Sequence, residues 1–488
     1  DEISLELAFL YKSMNKLEEA ESTFKELLQK DLYNLNLWKH YAEVYWMHDF
    51  NKALQAHEEL CNFIYDMIKD LQKGLLMRQT INPNQPNLQD RLSNSTKENL
   101  DIVEIENFLN TKILPQKAFL LFKLFRIPES LELFQSLSQA NQNQAQFWQH
   151  YAKVLEFSGN YQGAYDAYQK SLSLHHHATY QFDLAYLLMR MGVSENFEEG
   201  KKVYESRLFY AHNATFSVHH YNESMKALNN FGVDAFKNKE ILVFCEQGFG
   251  DTIMYSRCLE KLCKIASKVL FAPQSAMYEM FKSQIDLLSQ NDTFKNLEAL
   301  KDFPTNFDYA IPICSLPLFI DIKFEEIPKL QTPIIPLKRP QNKKKKIGFY
   351  YFTPNAVNSD VARNFDFKFL FSALEGLDCK LISFQLGLNE HYPKSIENRA
   401  KKIENWEDTL KNLADIDCMI SIDSAIAHLS LALDIPTIVL LHPRFDWRWG
   451  KFEDPKSYFW PKAKCFILTE ETKANLQECV QKTLAITK

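Results

Sequence analysis

Ile241-Leu242-Val243-Phe244-Cys245-Glu246-Gln247-Gly248-Phe249-Gly250-Asp251-Thr252 passes from an apolar, β-prone run into two glycines and a carboxylate, and a helical pattern follows to about Lys264. That order of strand, glycine turn and helix is how a parallel α/β sheet presents a ligand loop at the carboxyl end of a strand. The loop lacks a full G-x-G-x-x-G, so alone it specifies no nucleotide. A second strand–turn–helix element lies around Asp423. Two such elements in separate halves predict a cleft between two α/β domains.

The 488 residues allow about three domains, each large enough for its own core. A net charge of −6 gives no global basic field toward nucleic acid or anionic membrane. No apolar run reaches the roughly eighteen residues of a membrane span, and no secretory signal opens the chain. The chain starts at Asp1, which leaves a removed leader open. Nine cysteines are scattered without metal-type spacing, and Cys245 and Cys418 sit in strand-like runs where cysteine serves as a small hydrophobe. A reducing cytoplasm is the expected location.

The first third is helical and repetitive. Ala8, Tyr11, Ala20 and Phe24 mark one repeat; Trp148, Ala152, Leu155, Ala164 and Tyr168 mark a later one. In both, the second alanine follows the first by twelve positions, the tetratricopeptide spacing, where a small residue on each helix lets the pair approach closely. Leu37-Trp38-Lys39-His40-Tyr41-Ala42 echoes Phe147-Trp148-Gln149-His150-Tyr151-Ala152, but its next alanine, Ala53, arrives one residue early. A last unit runs from Ala185 through Asn196-Phe197-Glu198-Glu199-Gly200 to Tyr204, with an insertion in its turn. Residues 79–100, rich in Asn, Gln, Pro and Ser, read as a solvated insertion, and 101–140 as a divergent repeat. Repeats bury their apolar faces only by stacking, so 1–210 is expected to form one array with a protein- or peptide-binding face.

From about residue 240 short apolar strands alternate with helices. Ile241–Cys245, Val269–Ala272 and Tyr309–Ile313 are expected in one half, Ile347–Phe352, Lys380–Phe384, Cys418–Ile422 and Thr437–Leu441 in the other. Pro333, Pro336 and Pro340, then Lys343–Lys346, read as the interdomain linker, with the lysine run solvated rather than a phosphate site. The expected domains are therefore 1–210, 211–342 and 343–488, an α-solenoid followed by two Rossmann-like α/β halves.

Asp251 enters a helix just past the glycine turn. It serves either as a cap complementing the helix dipole or as a general base at the cleft. Glu246 in the same loop could share or replace that role. In Ile420-Ser421-Ile422-Asp423-Ser424-Ala425-Ile426-Ala427-His428-Leu429 a strand ends at Ile422, and the free amides of the following turn suit a phosphate. His428 shares a helix face with Ser424 and is either a packed polar residue or a ligand contact. Arg363 follows the first strand of the second half, where a charged fork suits a diphosphate unless it lies on the open surface. Asp415-Ile416-Asp417 imitates a metal-binding DxD but reads as a helix end, so no metal is expected. His175-His176-His177 reads as solvated surface. Arg444-Phe445-Asp446-Trp447-Arg448-Trp449 either closes the cleft or packs as a loop.

Taken together, these residues resemble bacterial tetratricopeptide-repeat proteins whose C-terminal half is similar to family 9 glycosyltransferases, the lipopolysaccharide heptosyltransferases. The resemblance covers roughly residues 195–465, and the repeats extend it over nearly the whole chain. It rests on Asn196–Gly200 through Tyr204, Glu246–Thr252, Asp408-Thr409, Asp423–Leu429 and Asp446–Trp449. It implies a GT-B fold, two Rossmann-like halves facing across a cleft, with a nucleotide-sugar donor held mainly by the C-terminal half and metal generally not required. By that resemblance Asp251 corresponds to the base, flanked by Gln247, Gly248, Gly250 and Thr252. Asp423, Ser424, Ala425 and His428 match the donor-binding D-[ST]-[GA]-x-x-H pattern. Arg363 falls where a basic residue contacts donor phosphate, and Gln385 joins the donor-binding set. Ala425 stands where heptosyltransferases usually have glycine, and Leu431 and Asp434 replace commonly small residues.

The resemblance implies a metal-independent glycosyltransferase whose repeats recruit a protein acceptor. A lipopolysaccharide or glycolipid acceptor, and a repeat scaffold with a degenerate transferase half, are the competing readings.

Overall fold

The computed structural model describes all residues except 1, 32–33, 47, 81–101, 211–214, 338–343, 354–362, 388–391, 470–472 and 487–488. Most of the 79–100 insertion, Pro340, Lys343 and Val361-Ala362 therefore lie outside the described residues. The chain divides into two compact units, Asp1–His176 and His177–Lys488.

The first unit is built of four helical hairpins. Glu2–Ser13 pairs with Leu17–Lys30, and Leu35–Ala42 leads to Phe50–Thr80. Ile102–Phe108, continued through Leu109–Ile113 and Leu114–Lys123, pairs with Ile127–Leu137, and Ala145–Phe157 pairs with Tyr161–Leu174. The small residues are the reason for the pairing. Ala8, Ala20, Ala42, Ala53, Ala118, Ser130, Ala152 and Ala164 are all fully buried, and Ser130 adds a 2.7 Å hydrogen bond from its hydroxyl to the Ala118 carbonyl. Ala118 and Ser130 are again twelve apart, which makes 101–140 a full repeat.

The turns obey the same register. Seven residues after the first small residue the chain adopts a left-handed conformation, at Asn15, Phe125 and Gly159. Such a residue stops a helix and reverses the chain. In the hairpin with the early Ala53 the equivalent position is Asp49, which is not left-handed; its carboxylate instead accepts from the amides of Asn51 and Lys52. The shorter turn is closed by an acidic side chain.

The second unit starts with one more hairpin, Ala178–Met191 and Ser194–Val203, with Ala185 buried and left-handed Gly192 seven residues on. This hairpin packs against the α/β body of its own unit. Buried Arg190 donates to the carbonyls of Gly450 (3.0 Å) and Phe445 (3.1 Å) and lies over the Phe452 ring at 4.0 Å. The compact units divide at 176 and not at the expected 210, and within the second unit Tyr186 and Tyr204 of the last repeat both meet Trp447.

Strands β1 (Glu240–Phe244), β2 (Lys268–Ala272), β3 (Leu297–Ala299) and β4 (Tyr309–Pro312) form a parallel sheet of order β3-β2-β1-β4. Strands β5 (Lys345–Tyr350), β6 (Cys379–Ser383), β7 (Glu397–Asn398), β8 (Cys418–Ile422), β9 (Thr437–Leu441) and β10 (Lys464–Ile467) form a second, of order β10-β9-β8-β5-β6-β7. β8 and β9 are buried along their whole length, as both-face burial in a parallel sheet requires. Each order reverses once, between β1 and β4 and between β5 and β8. Those reversals are where open α/β sheets leave a crevice. The architecture is an α-solenoid followed by two Rossmann-like halves, α plus α/β.

Two surface expectations need correcting. The proline stretch is anchored and not a free linker: Pro333 and Ile334 are buried and the Ile335 amide donates to Gln284 at 3.0 Å, while Pro336 is exposed. Lys345 and Lys346 open β5 and pair with Asp417 and Asp415, which explains the DxD as two lysine partners at the start of the sheet. No helix among the described residues is long and apolar enough to cross a membrane.

Candidate active site

Both reversal points open onto one cleft of about 660 Å³. The 247–251 loop lines it from the first half; Arg363, Asp423, Ser424, Ala425 and His428 line it from the second. All of these were singled out from sequence, and the fold brings them together.

The loop is held at both ends by one side chain. Gln274 donates to the Gln247 carbonyl (2.9 Å) and accepts from the Thr252 hydroxyl (2.8 Å). Thr252 is thus a buried brace, outside the cleft lining. Of the two glycines only Gly250 is required sterically, since a Cβ there would stand 2.9 Å from Cδ2 of His428. Gly248 has φ −68°, and a Cβ would meet only Asp251 Oδ2 at 3.4 Å. Glu246 turns away from the cleft. Its Oε1 receives Arg207 Nη2 at 2.7 Å and Nε at 3.1 Å, and Arg207 is held in turn by Glu205 and Ser315. The expected alternative base is a buried strut between the last helical unit and the loop.

Asp251 caps nothing; its Oδ1 takes Nε (3.0 Å) and Nη2 of Arg448, which comes from the other half. Among the described residues Oδ2 accepts no hydrogen bond. Arg448 also binds Asp446 (2.7 Å), and Arg363 lies 4.0 Å from Asp446 and 3.4 Å from Asp423. The result is an alternating chain: Asp423, Arg363, Asp446, Arg448, Asp251. Asp423 raises the pKa of Arg363. Burial would raise Asp446, but Arg448 and then Arg363 outweigh it and hold its carboxyl below the usual range. Burial opposes the charge on Arg448, and Asp251 and Asp446 more than restore it.

Arg363 owes its place to its neighbour. Asn364 Oδ1 accepts from the Thr353 amide (2.8 Å) and its Nδ2 donates to the Thr353 carbonyl (3.0 Å), pinning Arg363 beside the end of β5. Gln385 is fully engaged elsewhere. It accepts from the amides of Tyr351 and Phe352 and donates to the carbonyls of Phe352 and Leu386, so it shapes the strand ends without lining the cleft.

His428 sits one turn into the helix Ala425–Ala432. Trp460 Nε1 donates to its Nδ1 at 2.8 Å, and Trp449 stacks on the ring at 5.1 Å. An indole N–H can only donate, so Nδ1 is bare and the neutral ring carries its proton on Nε2. Burial agrees, lowering the pKa to about 4 against the pull of Asp423. Nε2 is 4.0 Å from Asp423, too far for a hydrogen bond, which leaves an N–H directed at the cleft. The helix start is open as well: Ser424 bonds Ser421 (2.8 Å) instead of capping, so the first amides stay free for an anion.

Sequence reasoning gave no individual role to several residues of the cleft lining, Arg448, Tyr186 and Trp406 among them. Arg448 lay in a stretch that counted toward the resemblance and was read as closing the cleft or packing as a loop, with no role for the arginine itself. Tyr186, from the last helical hairpin, and Trp406, which meets Phe249 edge-on at 5.5 Å, gave no signal in spacing or motif. Among the described residues no three His, Cys, Asp or Glu side chains cluster as metal ligands do.

No family model matches the chain, and no curated protein does. Solved structures similar to parts of the chain include glycosyltransferases and TPR proteins. The ADP-heptose lipopolysaccharide heptosyltransferase II of E. coli is 13% identical, with 51% of this chain and 99% of that one covered at a TM-score of 0.32. A family 9 glycosyl transferase from Veillonella parvula is 12% identical over 51% of this chain and 90% of that one, TM-score 0.33. A thermophilic TPR protein of Thermus thermophilus is 12% identical over 43% of this chain and 96% of that one, TM-score 0.28.

Proposed function

We propose that the protein is a glycosyltransferase that moves a sugar from a nucleotide-sugar donor to an acceptor hydroxyl, the acceptor being a protein engaged by residues 1–176. One observation carries the reading. At the reversal point of the second sheet, Arg363, the Nε2–H of His428 and uncapped helix amides converge on a cleft into which the first half projects the Asp251 carboxylate.

In this reading Oδ2 of Asp251 takes the proton of the acceptor hydroxyl as its oxygen attacks the anomeric carbon. The bond from that carbon to the diphosphate oxygen breaks, and the nucleoside diphosphate leaves with its charge met by Arg363, His428 and the amides of Ala425 and Ile426. Attack opposite the leaving group inverts the anomeric centre. The steps assign no role to a metal. Arg448 is shared: it lines the cleft and holds Asp251, so a diphosphate beside it competes with that carboxylate for the guanidinium.

A second reading is favoured by that same ion pair. With Oδ1 of Asp251 already committed to Arg448, the cleft binds a nucleotide sugar without turnover in this reading. Nucleotide release separates the two, measured over a panel of nucleotide sugars with a cell lysate as acceptor source. Release that disappears in Asp251→Asn supports transfer; binding without release supports the scaffold. Undiminished release in Asp251→Asn would remove the proposed base.

A further inference from the structure

The first unit contains a groove of about 450 Å³, distinct from the cleft just described. The leading helix of each of its four hairpins contributes to the wall: Lys12, Lys39 with Glu43, Lys112 with Gln116, and Gln146. Its charge is unbalanced. Three ammonium groups face one carboxylate, in a chain whose overall charge is −6. Glu43 is already engaged, by Gln116 Nε2 at 2.7 Å and by Lys39 at 3.8 Å. Among the described residues Lys12 and Lys112 form no ion pair. Burial lowers the pKa of Lys12, so part of its desolvation is met before any ligand arrives.

The spacing selects the shape of the ligand. A polyproline II peptide rises roughly 3.1 Å per residue with three residues per turn, so its side chains at every third residue lie on one face about 9 Å apart. Carboxylates so placed reach the cations that the successive leading helices carry on the groove wall. The Gln146 amide, exposed at the wall, offers a donor and an acceptor to a peptide backbone. A nucleic acid would need phosphate contacts along its length, and an acidic protein repels it.

We propose that this groove takes an extended acidic peptide segment, its carboxylates engaging Lys12, Lys39 and Lys112. The proposal deepens the reading in which residues 1–176 engage a protein acceptor and rests on it for biological meaning, but its test needs no donor and no turnover.

The test uses the full chain and fluorescence anisotropy with a labelled ten-residue peptide carrying Glu at every third position. Its comparators are the same peptide with Gln for Glu and a ten-nucleotide single strand. The expected result is binding of the Glu peptide that weakens with salt, and a loss of roughly tenfold in affinity in Lys39→Ala/Lys112→Ala. Lys462→Ala, in the second unit, is expected to leave it unchanged. If melting shows the double variant to be unstable, Lys12→Gln/Lys112→Gln keeps the aliphatic stems and is expected to show the same loss. Equal binding of the Gln peptide, an unchanged affinity in a folded double variant, preference for the oligonucleotide, or no peptide binding would each overturn the proposal. Peptide binding with no nucleotide release would leave the groove standing and sink the transferase reading alone.

Discussion

Gly250 and His428 touch across the cleft: a methyl group on residue 250 would sit 2.9 Å from the imidazole Cδ2, with the Ala425 backbone at 3.6 Å behind it. The ring has nowhere to go, being bonded to Trp460 and stacked on Trp449. Gly250→Ala is therefore expected to lose about 1–3 kcal/mol of stability by overpacking. It should also displace His428 and weaken nucleoside diphosphate binding. Urea midpoints and calorimetric titration with a nucleoside diphosphate would show both, and Gly248→Ala is expected to show neither.

His428 should make the fold acid-sensitive. Its folded pKa of about 4 lies below the ordinary 6.5, so the native state favours the neutral ring. That stability is fully present above pH 6.5 and is lost as pH falls toward 4, by roughly 3 kcal/mol in total. His428→Asn is expected to lose correspondingly less over that window. His442, also lowered to about 4 by burial, is common to both proteins and drops out of the difference. Denaturant midpoints at pH 7 and 4.5 provide the comparison, and parallel curves would refute it.

Arg448 holds two carboxylates, so removing it should cost more than removing either of them. Arg448→Met takes the ion-pair partner from Asp251 and leaves buried Asp446 only Arg363 at 4.0 Å, an expected loss of about 3 kcal/mol. Adding Asp251→Asn to that variant is expected to recover part of the loss. A double-mutant cycle on urea midpoints measures the coupling, and simple additivity would show that the pair is not formed in solution.

The unit boundary has a direct consequence for dissection. Residues 177–488 are expected to unfold cooperatively and to bind a nucleoside diphosphate as the full chain does. Residues 211–488 lose Arg190, Tyr204 and Arg207 and should fail to give a soluble cooperative body. Expression followed by thermal melting distinguishes them.

Much of this was legible in sequence because it follows local rules. The twelve-residue spacing of small residues, the apolar runs of β1, β5, β8 and β9, and the turn chemistry at 248–251 and 423–424 each need only a short window. What escaped depends on packing between distant segments. Glu246 and Gln385 look like cleft residues in a motif, yet the burial of Arg207 and the amides of Tyr351 and Phe352 claim them. Arg448 became visible only when its partner, Asp251, was seen to arrive from the other half. Tyr186 sits in a repeat where an aromatic reads as core, and only the docking of that hairpin turns it toward the cleft. The early boundary has the same origin: the last repeat carries the repeat signature but spends its apolar face on the α/β body.

Arg190 reaches from that last hairpin to the carbonyls of Phe445 and Gly450 and so makes it the inheritance of the α/β body, not of the repeats before it. A natural recombination at His176/His177 exchanges four hairpins and leaves every cleft residue untouched. The first four hairpins and the cleft are thus inherited as separable pieces, with the fifth hairpin always travelling with the cleft it lines through Tyr186.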